Sequence, residues 1–82
     1  MKTKKIYIIH QMAWNYSAEM FTVEISHYFS SRKKVNEALS NFIPDDAEDI
    51  VYDEKNTDNY TIITYKASGL KFRILMEVRD VW

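Results

Sequence analysis

Histidine is the side chain best suited to moving a proton near neutral pH, and the chain has two, His10 and His27. Either one, beside a lysine or arginine, could cleave a phosphodiester by general acid–base chemistry, which requires no motif. Their setting argues for a plainer role. Both fall on apolar phases of strand-like sequence, and a hairpin closed symmetrically about Tyr16 sets His10 opposite Thr22 and His27 opposite Lys5. That register keeps the two rings far apart, as two hydrogen-bonded structural histidines rather than metal ligands.

Carboxylates are the other candidates. Asp45, Asp46, Asp49 and Asp53 could hold a hard cation, but the stretch lacks the alternating acids and the glycine of a calcium loop, so no metal is expected. Cysteine is absent, which removes disulfides, thiolate ligands and a thiol nucleophile. There is no nucleophile elbow and no glycine-rich phosphate loop. The chain reads as a non-enzymatic protein without a cofactor, and a small nuclease or toxin stands as a third functional reading.

Charge supplies two candidate binding surfaces. Residues 45–58 hold seven of the twelve acids and one lysine, a net of −6 that leaves +5 for the rest of the chain. Such asymmetry concerns partners and association, not fold. The first surface joins Asp45, Asp46, Glu48, Asp49, Asp53, Glu54 and Asp58 to Trp14 and Tyr16, two residue types favoured as interface anchors, and points to a protein partner. Trp14 has an alternative role, folding back to cap the edge of its own sheet. The second surface is basic: Arg32, Lys33 and Lys34 at a helix start, and Lys71, Arg73 and Arg79 on a strand face with Tyr28 and Glu24, which would suit nucleic acid. Cations at a helix amino end oppose the helix dipole, unless their stems lie along apolar surface and their heads reach water.

The elements that must position these residues follow from periodicity. Lys4–Ala13 is apolar on both faces, as a central strand or one under an oligomer contact would be. Met20–Phe29 alternates, with Phe21, Val23, Ile25, His27 and Phe29 on one side. Ser30–Ile43 is the helix: Val35, Ala38, Leu39, Phe42 and Ile43 form one stripe, a serine caps the start and Pro44 ends it. A short strand is expected at Ile50–Tyr52 and a longer one at Tyr60–Lys66. Ser68-Gly69 marks a tight turn into the clearest strand, where Leu70, Phe72, Ile74, Met76 and Val78 alternate with Lys71, Arg73, Glu77 and Arg79. The fold class is therefore α+β: an antiparallel sheet of four to five strands with one helix on one face, in the order β-β-α-(β)-β-β.

Eighty-two residues make one domain, 1–82, too small for a large internal cavity. No apolar run reaches the roughly 18 residues of a membrane span, and the chain reads as cytoplasmic. Because so short a chain cannot easily cover both faces of its first strand, a homodimer is expected.

The hairpin ending in Tyr28-Phe29-Ser30-Ser31, the helix Arg32-Lys33-Lys34-Val35-Asn36-Glu37-Ala38-Leu39 and the later tyrosine-rich strands resemble very short proteins encoded by phages and mobile elements. The likeness covers residues 5–43, with Val35 where alanine is more typical, and the acidic stretch after Pro44 has no counterpart in it. It implies a compact accessory protein, an inhibitor or adaptor that binds and blocks a host or defence protein, as anti-CRISPR proteins do.

Overall fold

The computed structural model of the chain describes residues 4–57 and 59–81. Its elements are β1 (Lys4–Asn15), β2 (Met20–Phe29), α1 (Arg32–Phe42), β3 (Glu48–Tyr52), β4 (Tyr60–Ala67) and β5 (Leu70–Val81). All pairings are antiparallel, and the sheet order is β2-β1-β5-β4-β3. The expected α+β architecture is present. The optional strand exists and runs three residues before its expected centre, from Glu48, with Asp49 at φ +52° where its register with β4 breaks.

The final strand behaves as its alternation predicts. Phe72, Ile74, Met76 and Val78 face the helix, beside Tyr7 and Ile9 of β1 and Ile63 and Tyr65 of β4. Val35 of α1 is fully buried against this layer, and Ala38, Leu39, Phe42 and Ile43 pack around it. Ser31 caps the helix: its backbone is extended and its Oγ accepts from the Lys34 amide at 3.3 Å. At the Ser68-Gly69 turn both residues have positive φ, +53° and +77°, the mirror-image geometry that matches the twist of paired strands.

The first hairpin departs from the symmetric expectation. The Asn15 side-chain oxygen accepts from the amides of Ser17 and Ala18, both at 3.0 Å, and this fixes a four-residue loop displaced from Tyr16. His10 therefore pairs with Ser26, and His27 with Ile9. The expected partners Thr22 and Lys5 instead meet Ala13 and Asp80. A bulge then shifts the β1–β2 register: Gln11 pairs with Ile25 but Met12 with Val23, so Glu24 is extra. Side-chain alternation in β2 reverses across it. Ile25, His27 and Phe29 stay on the helix side, whereas Phe21 and Val23 move to the open face, so the five residues do not share one side.

Candidate functional site

The register sorts the open face into rows that run across the strands. Its floor is apolar: Ile6, Ile8 and Met12 of β1, Leu75 of β5 and Ile62 of β4. Ile8 is only 5% exposed although no helix lies over it; Tyr28 and Glu77 are its neighbours on the adjacent strands. Both faces of β1 are thus dry at their centre, as its composition anticipated.

In the middle of this floor lies a polar chain. His10 Nδ1 is 2.6 Å from Ser26 Oγ, and His10 Nε2 is 3.3 Å from Glu77 Oε1, which also accepts from Arg79 Nη2 at 2.9 Å. A carboxylate can only accept, so Nε2 carries a proton and, in the neutral ring, Nδ1 accepts from the Ser26 hydroxyl. A serine, an imidazole and an acid in series suggest acyl transfer, which also needs donors aimed at a developing oxyanion in a site that excludes water. This chain lies across a sheet surface, and Glu77 is shared with Arg79. Its evident effect is to keep four polar groups partnered in an apolar surround.

At one end of the face aromatic rings are braced by cations. Trp14 packs edge-on against Phe21 at 5.0 Å, the Arg73 guanidinium sits 4.1 Å from the centre of the Phe21 ring, and Lys71 Nζ lies 5.6 Å from that of Trp14. Arg73 Nε is buried without a hydrogen-bond partner. At the other end Ile6, Tyr28, Phe29 and Ser30 line an open groove of about 250 Å³. Trp14 is half-buried in this face and does not cap a sheet edge. Tyr16, at the hairpin tip, is exposed.

No family model, curated protein or solved structure matches the chain.

The acidic candidates are not one cluster. Asp45 and Asp46 are exposed in the turn closed by the Ala47 amide on the Pro44 carbonyl at 3.0 Å. They and Glu48 lie at the same end of the sheet as Trp14 and Tyr16, yet Trp14 and Glu48 stand three strand spacings apart, roughly 14 Å. Asp53 and Glu54 follow the other end of β3, where the Asp53 amide donates to the Ile62 carbonyl at 3.1 Å, level with the middle of the sheet. Asp49 pairs with Lys66 at 3.6 Å, and the Asp53 carboxylate accepts from the Lys55 amide at 2.8 Å, so both have local structural work. Asp58 lies outside the described residues.

The basic candidates are divided too. Lys71, Arg73 and Arg79 are on the open face, whereas Arg32, Lys33 and Lys34 belong to the helix on the other. Arg32 Nη1 donates to Met76 Sδ at 3.9 Å, and Lys34 Nζ donates to Ser30 Oγ at 3.4 Å. The stem of Arg32 follows the core, which relieves part of its conflict with the helix dipole. His27 is on the helix side, 3.2 Å from Gln11 Oε1 and stacked on Phe42 at 4.8 Å. The two histidines are thus one strand apart and back to back, not distant as the symmetric hairpin implied. The His10–Ser26–Glu77 chain escaped sequence reasoning because it depends on the true register, and its visible signal was Asn15 in a loop.

Proposed function

We propose that the protein is a small non-enzymatic module that binds another protein stoichiometrically through its open sheet face, in the manner of an inhibitor or adaptor. One observation carries the reading. The face sets Trp14, Arg73, Tyr28 and Arg79, types enriched among interface hot spots, on an apolar floor whose central polar groups are already hydrogen-bonded. Tyr28 is 68% exposed and Val23 51%, large apolar side chains that a partner would desolvate. A host or defence protein as the target is what the likeness to phage accessory proteins implies. The exposed acids Asp45, Asp46 and Glu54, dispersed around the sheet, would steer association, and Tyr16 is exposed at the hairpin tip.

A photo-crosslinking side chain placed at Val23, at Tyr60 or at the exposed helix position Asn36 tests this in living cells. The expected result is a discrete protein adduct from Val23 and Tyr60 and none from Asn36. Adducts from Asn36 alone would remove the open face as the interface. Nucleic acid is the second reading, favoured by Lys71 and Arg73 beside aromatic rings; its signature is an adduct that nuclease digests and whose yield falls steeply with salt.

A further inference from the structure

We infer that, in the absence of another partner, the open face is the twofold interface of a homodimer; this rests on the reading of that face as a protein-binding surface, which a second copy of the chain occupies until another protein displaces it. Edge-to-edge assembly is disfavoured by the sheet itself. Edge strand β2 is bent by the bulge at Glu24, and edge strand β3 is five residues long and interrupted at Asp49. The face is what remains.

Consider an axis parallel to the sheet, perpendicular to the strands and passing over the row that holds Ser26, His10, Leu75 and Ile62. Rotation about it lays β1 over β1 and β5 over β5, reversed about that row. Four separate features then find partners. Ile8 meets Met12 of the second copy, apolar on apolar. Arg73 meets Glu77, which places a carboxylate where a cation holds a buried, unpartnered Nε. Tyr28 meets Val23, pairing two of the most exposed apolar side chains of the face. Ile6 meets Trp14, so the groove lined by Ile6 and Tyr28 receives the braced Trp14–Phe21 pair from the other copy. Lys71 and Arg79 come together at the rim, where Arg79 is already neutralised by Glu77.

The contact is small. β1, β2 and β5 overlap over the eight residue steps from Ile6 to Trp14 and β4 over about half of them, whereas β3, confined to the Trp14 end, faces no strand of the other copy, so strands about 4.8 Å apart give a projected patch of about 440 Å² per copy. Two such patches, about 880 Å², fall in the range of weak, reversible interfaces.

Sedimentation equilibrium on the full chain provides the test. The wild type is expected at twice its 9.8 kDa mass. Arg73→Glu or Glu77→Arg alone sets like charges across both symmetry-related contacts and should weaken the dimer by about tenfold or more. An equal mixture of those two variants should dimerise more tightly than either, because only the mixed pair restores both contacts. Tyr28→Ala, at an exposed position outside the core, should loosen the dimer comparably and keeps the test alive should the charge variants fail to fold. A wild-type monomer at high micromolar concentration, or a mixture no tighter than its components, overturns the dimer. A monomer whose Val23 still crosslinks to another protein overturns only the dimer and leaves the binding role standing; no protein adduct at any face position removes both.

Discussion

Ile8 and Ile9 are adjacent in sequence and both buried, at 5% and 0% exposure, yet they face opposite sides of the sheet. Ile9 is sealed within the core cluster that includes Val35, while Ile8 is screened only by its neighbours within the sheet. Alanine at either position removes three carbons, about 2.4 kcal/mol of transfer free energy at roughly 0.8 per methylene. At Ile9 the surround is closed, and a residual cavity of about 60 Å³ adds about 1.4 kcal/mol, for a total near 4. At Ile8 the void opens toward the surface and Tyr28 can settle into it, so the monomer should lose only about 2 kcal/mol. Urea unfolding at low protein concentration, followed by far-ultraviolet circular dichroism, measures both, and an unchanged denaturant slope licenses the comparison. If the open face is covered by a second copy, the difference of roughly 2 kcal/mol narrows as protein concentration rises. Equal losses at every concentration, or a larger loss at Ile8 in the monomer, would refute the claim that the two faces are sealed differently.

Other consequences are sharper but narrower. Ser31→Ala removes the helix cap and should lower stability by about 1 kcal/mol in the same assay. Ser68 has positive φ at its turn, so Ser68→Asn should raise stability by about 0.5 kcal/mol in the same assay. Burial raises the Tyr65 pKa above its usual 10.0. A raised folded-state value means that the Tyr65 contribution is complete below pH 10 and is lost as pH climbs through the folded pKa; the alkaline fall in urea midpoint should be shallower in Tyr65→Phe. Deleting Glu24 should close the bulge while keeping the Met12–Val23 and Trp14–Phe21 pairs, so Phe21 stays on the open face and the Arg73 side-chain proton resonances should keep their shift from the Phe21 ring.

Periodicity exposed those parts of the fold in which one residue spacing decides one burial face. β5 keeps strict alternation over Leu70–Val78, and α1 carries its stripe at Val35, Leu39 and Phe42, so their faces were legible from the chain alone. Register was less accessible, because it depends on loop geometry that alternation does not encode. The Asn15 side-chain bonds that displace the hairpin are local and have a recognisable residue type, whereas the bulge has none: Glu24 occupies a polar phase whether or not it is extra. Most of the candidate site depends on those two features. Lys71, Arg73 and Arg79 could be placed on one face, but the Ser26–His10–Glu77 chain and the Phe21–Arg73 stack could not. The acidic block was visible as composition, while its spread to both ends of β3 followed from where the sheet puts residues 45–54.

The bulge links the fold to its surface. Without the bulge, with Glu24 paired as an ordinary ladder residue, Phe21 and Val23 would continue the helix-side phase of Ile25 and His27, beyond the part of the sheet that an eleven-residue helix can cover. With it, they join Trp14 and Met12 on the open face, where Phe21 lies beneath Arg73 and Val23 lies beside Met12. The same distortion bends β2 and makes it a poor template for another strand, so one bulge both protects an edge and furnishes a face. The residues it moves, Phe21 and Val23, are those that the proposed twofold sets against the Ile6–Tyr28 groove and Tyr28. A chain with one helix to cover five strands leaves half of its sheet without a layer, and the bulge concentrates aromatic and apolar side chains on that half, where a second protein surface can bury them.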